Sequence, residues 1–465
     1  MNVQAQPEVY DLLILGSGAG AKLLAWTFAG QGQRVAAVER KYVGGACPNI
    51  ACLPSKNVIH TAQIAHYVRS SEEFGISIDN FRVKMPAVRD RKRRMVQGLV
   101  DTHLALYKQS GSELIMASGK FVGPKLLEAT LTDGTKRLLT GKNVVIGTGT
   151  HAFIENIPGL ASAHPLTHVE ALELDIVPEH LIVLGAGYVG LEFAQAMRRF
   201  GSKVTIVDRN HHVLHSEDDD TSEGLQNLFQ DEGVKLVLNA RIKNISGVSG
   251  QSVRVTLEHD GVEKSLEGTH LLVAAGRVPN TKDIGLELTG VELTERGYIK
   301  VNERLETTAP GIWAVGEVAG SPQFTHISED DFRVVRDNML GGNRVTTGRQ
   351  APFCLFTDPE FARIGMSEKE AKAKGIAYRL FKIPMTHMLR ARSLMETRGF
   401  LKCLVERDSD RILGFAAFGV GAGEIMACVQ IAMLGGMPYT TLREAVLAHP
   451  TIPEGLIALF SSAAS

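Results

Sequence analysis

A strand, a glycine-rich turn, a helix and a second strand ending in an acid occur twice in this 465-residue chain, and that duplication constrains the fold most. In the first copy, Tyr10-Asp11-Leu12-Leu13-Ile14-Leu15 reads as a buried strand. It runs into Gly16-Ser17-Gly18-Ala19-Gly20-Ala21, a helical pattern over 22–29, and a strand over 34–38 that ends at Glu39. In the second copy, His180–Leu184 leads into Gly185-Ala186-Gly187-Tyr188-Val189-Gly190, a helix over 191–200, and the strand Lys203–Val207 ending at Asp208. Gly16 to Glu39 and Gly185 to Asp208 both span 23 positions. One such turn is weak; two with the same spacing predict two dinucleotide cradles. Gly16 permits the tight turn, Gly18 lets a pyrophosphate approach the backbone, and small Ala21 lets helix pack on strand. The phosphates are expected at the helix N-terminus, where unpaired N–H groups and the dipole favour anions. Glu39 is expected to accept hydrogen bonds from a ribose.

Just beyond the first cradle lies Gly44-Gly45-Ala46-Cys47-Pro48-Asn49-Ile50-Ala51-Cys52-Leu53-Pro54-Ser55-Lys56, with its second cysteine opening a helical pattern. A disulfide between cysteines this close removes little chain entropy, so stapling the fold is a poor reason for it. Redox exchange fits better: one sulfur meets the substrate while its neighbour stays against an electron donor. Spacing alone also allows two unrelated buried cysteines. The position of the pair predicts a bound flavin in the first cradle and a diffusible nicotinamide nucleotide in the second.

Composition excludes several classes. Fifty Lys plus Arg nearly balance fifty-one Asp plus Glu, so no basic domain is available for a nucleic-acid partner. The one basic run, 89–94, reads as a solvated helix face. No stretch approaches the roughly 18 apolar residues of a membrane span, and residues 1–7 form a short polar tail without a signal segment. Five cysteines, at 47, 52, 354, 403 and 428, do not resemble a secreted disulfide framework, so the expected location is cytoplasmic.

Further blocks extend the pattern: Ile146-Gly147-Thr148-Gly149-Thr150, Ala274-Ala275-Gly276-Arg277-Val278-Pro279-Asn280, Ala314-Val315-Gly316-Glu317-Val318-Ala319-Gly320 and His449-Pro450-Thr451-Ile452-Pro453-Glu454. With these and the two cradles, the whole chain resembles the class I pyridine nucleotide–disulfide oxidoreductases, the flavoenzymes that include glutathione reductase, dihydrolipoamide dehydrogenase and mercuric reductase. The resemblance implies an α/β fold with two Rossmann-like dinucleotide-binding domains and a C-terminal α+β dimerisation domain. It implies FAD at Gly16, Gly18, Ala19, Gly20, Glu39, Gly45, Lys56, Gly119, Thr148, Gly149, Gly316 and Glu317. It implies NAD(P)H at Gly185, Gly187, Tyr188, Gly190, Asp208, Arg209, Gly276 and Arg277. By position Cys52 resembles the sulfur that faces the flavin, and Cys47 the interchange thiol that attacks substrate. Lys56 is expected beside the flavin, paired with Glu192, and Tyr188 resembles the ring that covers the nicotinamide pocket. His449, oriented by Glu454, resembles the acid–base group of thiol exchange, which in the family comes from the partner subunit of a homodimer. There are departures: Glu317 stands where most members carry Asp, Ala51 where Gly is usual, and Pro48 is uncommon.

Asp208 favours NADH, because it would accept from a 2′-hydroxyl and repel a 2′-phosphate. Arg209 stands where NADPH-using relatives often carry Arg, and His215 where some have a second basic residue. The carboxylate is expected to dominate. The oxidant is expected to be a small disulfide or a soft metal ion. Leu389-Arg390-Ala391-Arg392, residues 397–402 and residues 323–336 resemble the mercuric-reductase-like branch, yet the vicinal cysteines usual near the C-terminus of mercuric reductase are absent and the last cysteine is Cys428. The alternatives are a dihydrolipoamide dehydrogenase and a flavin-bound redox sensor. His211, His212 and His215 ahead of 217–220 read as a solvated loop rather than a divalent site. Met366, Met385, Met388 and Met395 with His387 read as core rather than copper ligands. The expected domains are 1–150 for FAD, 151–279 for the nicotinamide, 280–345 returning to FAD, and 346–465 as the interface domain. In the last, Phe400–Glu406 and 412–420 read as strands and Ala422–Leu434 as a helix.

Overall fold

The apolar run ending at Leu15 forms a central strand, Glu8–Leu15, in a computed structural model that describes residues 6–464. Most of the polar tail read over 1–7, and Ser465, lie outside the described residues. Val35–Glu39 and Lys136–Ile146 flank the central strand in parallel, so that Leu12 stands opposite both Val35 and Asn143. Glu113–Gly123 continues the sheet beyond Val35–Glu39, and Ile312–Ala314 beyond Lys136–Ile146, again in parallel. Leu126–Leu131 pairs antiparallel with both Glu113–Gly123 and Lys136–Ile146. Parallel strands covered on both faces must be apolar along their length, and Leu13, Ile14, Ala37, Val38, Val145 and Ala314 are fully buried. Because these strands run the same way, the loops at 16–20, 39–45, 147–149 and 315–320 collect at their carboxyl edge, the usual place for a ligand in such a sheet.

By its internal packing the chain divides into two units. The sheet just described belongs to the first, which takes in residues up to 57, 86–153 and 276–349; the second takes in 58–85, 154–275 and 350–465. The second unit contains the parallel sheet His270–Val273, His180–Leu184, Lys203–Val207, Lys235–Val237 in that spatial order, followed in sequence by an antiparallel three-stranded sheet over 240–268. It also contains an antiparallel five-stranded sheet, ordered Phe353–Leu355, Glu360–Gly365, Ile412–Gly419, Phe400–Glu406, Tyr378–Pro384. The helix Ala422–Leu434 buries Ile425, Met426 and Val429 in the same core as Phe415 and Ala417 of that sheet.

Tertiary packing overrode three local readings. Within the helix Met85–Ser110, Lys92 is buried although Arg91, Arg93 and Arg94 are exposed, because it lies one turn beyond buried Val88 on the inward face. The acids at 217–220 are not a solvated loop. Glu217 pairs with Arg363 at 2.8 Å, while Asp218 and Asp220 pair with the almost completely buried Lys402, each at 2.8 Å. A lysine buried to that degree needs such partners, since desolvating an unpaired charge is prohibitive. Met385 and Met388 are core residues as expected, whereas Met395 is exposed.

Candidate functional site

The first cradle begins where strand Glu8–Leu15 breaks. Gly16 takes φ +105°, and a Cβ there would stand 2.3 Å from the carbonyl oxygen of Gly147. Only glycine fits this turn. A Cβ at Gly20 would meet the backbone oxygen of Ser328 at 2.5 Å, and one at Gly45 the Cα of Gly18 at 2.5 Å. At Gly18 itself nothing comes nearer than 3.9 Å. The outer glycines are thus required by the protein's own packing, while the middle one leaves its backbone open, as a cradle for a phosphate must. Gly18 caps the helix Ala19–Gly30, whose first N–H groups face the same edge.

Glu39 ends the neighbouring strand, and its carboxylate organises the loops around it. One oxygen accepts from the Ser17 N–H at 3.0 Å and hydroxyl at 2.8 Å; the other accepts from the N–H groups of Lys41 and Tyr42 at 2.8 and 3.0 Å. Gly119 lies inside strand Glu113–Gly123, where a Cβ would stand 2.5 Å from Leu15 Cδ1. Thr148 and Gly149 are tied to Asn280 by three hydrogen bonds of 2.7 to 2.9 Å. Gly316, at φ +73°, donates its N–H to Asp331 at 2.7 Å. Glu317 accepts from the hydroxyl of Thr150 and lies 3.3 Å from Arg277 Nε, which itself donates to Thr150 at 2.7 Å. Arg277, expected on the nicotinamide side, therefore lies with Glu317 in the first unit. The extra methylene of Glu317 spends its reach on this contact.

Both cysteines sit beside this cradle as free thiols. Cys47 belongs to the short turn Ala46–Asn49, and Cys52 opens the helix Cys52–Arg69, where a thiolate is favoured by the helix N-terminus. The sulfurs share a hydrogen bond, and they titrate in opposite directions. Cys52 is held below the ordinary thiol range, first by the bond from Cys47, against burial, then by Thr325 and the charge of Lys56. Cys47 is pushed up by the bond to Cys52 and by burial. The first proton lost leaves Cys52 a thiolate and Cys47 a thiol. Thr325 Oγ1 is 3.3 Å from Cys52 Sγ.

Residues 323–336 stand out in the sequence only by resemblance, and Thr325 is not tied to the sulfurs there because it lies 273 positions from Cys52. The same helix, Thr325–Met339, supplies Ser328, whose hydroxyl accepts the Gly20 N–H at 3.1 Å, and fully buried Asp331, which holds Gly316 and pairs with Arg349 at 2.5 Å. One helix thus braces the glycine turn, the Gly316 turn and Cys52.

In the second unit the other cradle repeats the logic. A Cβ at Gly185 would meet the Ala274 oxygen at 2.5 Å and one at Gly190 the Gly185 oxygen at 2.0 Å, whereas Gly187 has nothing within 4 Å. Asp208 accepts the Ala186 N–H at 2.6 Å and both Asn210 donors at 2.8 Å. Arg209 is 78% exposed, 3.6 Å from Glu155. Tyr188 opens the helix Tyr188–Phe200, and burial raises its hydroxyl pKa. Glu192, one turn on, is buried and accepts the Phe356 N–H at 3.0 Å. His449 Nδ1 lies 2.9 Å from Glu454 Oε1, with the imidazole 60% exposed.

Residues 10–331 match the model of a family described as pyridine nucleotide-disulphide oxidoreductase, and residues 351–459 match its dimerisation domain. The probable pyridine nucleotide-disulfide oxidoreductase RclA of Escherichia coli (strain K12) is 35% identical over 458 residues, covering 97% of this chain and 99% of its own. Mercuric reductase of Streptomyces lividans is 32% identical over 450 residues, covering 94% of each. Among solved structures, the Cu(II) complex of the HOCl-induced flavoprotein disulfide reductase RclA from Escherichia coli gives a TM-score of 0.88 at 33% identity, over 98% of this chain and 99% of that one.

Proposed function

Because this chain belongs to the pyridine nucleotide-disulphide oxidoreductases, flavoprotein enzymes that use FAD and NAD(P)H, we propose that it passes electrons from NADH to the Cys47–Cys52 pair and on to a small disulfide or soft metal ion. The observation that carries this reading is the setting of the dithiol: Cys52 opens a helix with Thr325 Oγ1 3.3 Å from its sulfur, and the loop that carries Cys47 packs against Gly18 of the first glycine turn. FAD would be held by the 16–20 turn, Glu39, Gly45, Thr148 to Gly149 and Gly316 to Glu317, and would supply two-electron exchange between nicotinamide and sulfur. Cys47 then acts as the nucleophile toward the oxidant and Cys52 resolves the product. The mercuric reductase relative and the Cu(II)-bound relative support keeping soft metal ions beside disulfides as oxidants. Oxidation of NADH by the FAD-loaded protein, measured against glutathione disulfide, lipoamide, Hg(II), Cu(II) and quinones, tests the reading; negligible turnover with all of them sinks it. Turnover with dihydrolipoamide and NAD would instead identify a dihydrolipoamide dehydrogenase.

His449 is proposed as the acid–base group, with Glu454 fixing its tautomer through Nδ1. The match of residues 351–459 to the dimerisation domain supports a homodimer in which His449 serves the sulfurs of the other subunit. His449→Ala should lower turnover by about 10²- to 10⁴-fold and flatten its pH profile, while the sulfurs still accept electrons from NADH in a single-turnover experiment. An unchanged pH profile would assign the proton transfer elsewhere.

Asp208 is proposed to select NADH. Its carboxylate is fixed by three donors at the end of the strand, whereas the Arg209 side chain is largely exposed and lies 3.6 Å from Glu155. NADH should exceed NADPH in kcat/KM by about tenfold or more, and Asp208→Asn should narrow that ratio. Equal use of both nucleotides by the unmodified protein would remove Asp208 from this role.

A further inference from the structure

One cluster of titratable groups in the first unit lies beside the loop that carries Cys47. Lys22 lies on the helix Ala19–Gly30, and its Nζ is 2.9 Å from Nε2 of His103 on Met85–Ser110. The imidazole stacks on Trp26 with centroids 5.7 Å apart, and the ammonium is 5.8 Å from the indole centroid. The loop that carries Cys47 packs against both helices. A Cβ at Gly44 would stand 2.4 Å from His103 Nδ1, and one at Gly45 2.5 Å from Gly18 Cα. Burial lowers the Lys22 pKa, and its interactions with Cys47 and Glu329 oppose that, with His103 as its hydrogen-bond partner. Cys47 is faced by Cys52, Thr325 and Lys22.

Resting on the dithiol reading above, we propose that Lys22 is a second cationic positioning residue of the sulfur centre, held by His103 so that its charge stabilises Cys47 as the attacking thiolate. Lys56 acts on Cys52; Lys22 acts on the other sulfur. The need is physical. Cys52 ionises first, and a second negative charge beside it in a buried site is disfavoured unless a cation offsets it. Burial, reinforced by the Lys22 charge, holds His103 down at about 4. The neutral imidazole therefore accepts the lysine's hydrogen bond and does not compete as a cation. In the reaction the Cys47 thiolate attacks one sulfur of a disulfide R–S–S–R, forming Cys47–S–S–R and releasing RS⁻. The Cys52 thiolate then attacks the Cys47 sulfur, closing the Cys47–Cys52 disulfide and releasing a second RS⁻, so the two electrons of the dithiol leave with the two thiolates. Lys22 forms no bond in either step.

The test is the pH dependence of Cys47 alkylation by iodoacetamide in the FAD-loaded enzyme reduced anaerobically with dithionite, read by mass spectrometry of the Cys47 peptide. Lys22→Met should move the Cys47 midpoint upward by about one pH unit and slow alkylation at pH 7 about tenfold. Lys22→Arg, which keeps the charge, should restore most of the wild-type profile. His103→Leu, which removes the acceptor and frees the lysine, should shift it in the same direction by less. An unmoved Cys47 profile in FAD-loaded Lys22→Met overturns the proposal. If that variant fails to retain FAD, an unmoved profile in His103→Leu does so. The measurement uses neither NADH nor oxidant, so it is independent of which oxidant the enzyme takes. Failure of the underlying reading shows separately, as two sulfurs in the unmodified enzyme that dithionite cannot reduce as a pair.

Discussion

Replacing Cys52 with Ser is expected to lower NADH-dependent turnover at least about a thousandfold and to erase the long-wavelength absorption that a thiolate beside FAD gives in the two-electron-reduced enzyme. A serine hydroxyl does not ionise near neutral pH and cannot form the disulfide, so both the electron-accepting bond and the stabilised anion vanish together. Cys47→Ser should lose turnover to a similar degree but keep the absorption band, because Cys52 retains Thr325 and Lys56. The pair of variants separates the roles, and a band that survives in Cys52→Ser reverses them. The titration adds a sign. Cys52 has a depressed pKa, so its thiolate is present above that value and is lost as pH falls through it. The hydrogen bond from Cys47 is the largest cause of the depression, so Cys47→Ala should raise the pH at which the band forms, by about one unit or more. Absorbance against pH in the reduced enzyme measures this directly.

Gly16→Ala is expected to give a destabilised protein that purifies without FAD. The added methyl would stand 2.3 Å from the Gly147 oxygen, a backbone atom, at φ +105°. Neither the carbonyl nor the turn can yield without moving the strand ends at Leu15 and Ile146, which are hydrogen-bonded neighbours in the sheet. Strain of this kind costs about 1–3 kcal/mol, and the overlap adds to it. Gly187→Ala is the control. Its φ of −87° suits alanine and nothing lies within 4 Å, so the fold and FAD content should remain while the KM for NADH rises. The 450 nm absorbance per protein and the thermal midpoint report the first variant; steady-state kinetics report the second. A yellow, stable Gly16→Ala protein would show that the turn tolerates a side chain and that its glycine serves no packing need.

The two variants also separate what local sequence could convey from what it could not. Both cradles were legible because a tight turn, an open phosphate seat and a close helix contact impose residue types at fixed local spacing, and the packing around Gly16, Gly20, Gly185 and Gly190 follows that spacing. The strands Phe400–Glu406 and Ile412–Gly419 and the helix Ala422–Leu434 were legible from apolar patterning. Lys402 was not. Its burial among Asp218, Asp220 and Glu368 joins elements more than 30 residues apart in sequence, whereas 217–220 taken locally reads as a solvated loop after a strand.

By itself the sequence determined that two glycine turns of equal spacing each precede a helix and an acid-ended strand, that a close dithiol follows the first, and that His449 has Glu454 within reach of its ring. Those features are short-range: spacing along the chain sets which groups can meet. The resemblance already pointed to Cys52 as the sulfur that faces the flavin; only the tertiary structure showed the groups around it, with Thr325 arriving from a helix 273 positions away, Lys56, and the shared bond with Cys47. It likewise brought Lys22 to His103, Arg277 to Glu317, and Asp331 to Gly316. Electrostatic and hydrogen-bond energies fall off with distance in space, not in sequence, so these partners exist only once the sheets have gathered their loops at one edge.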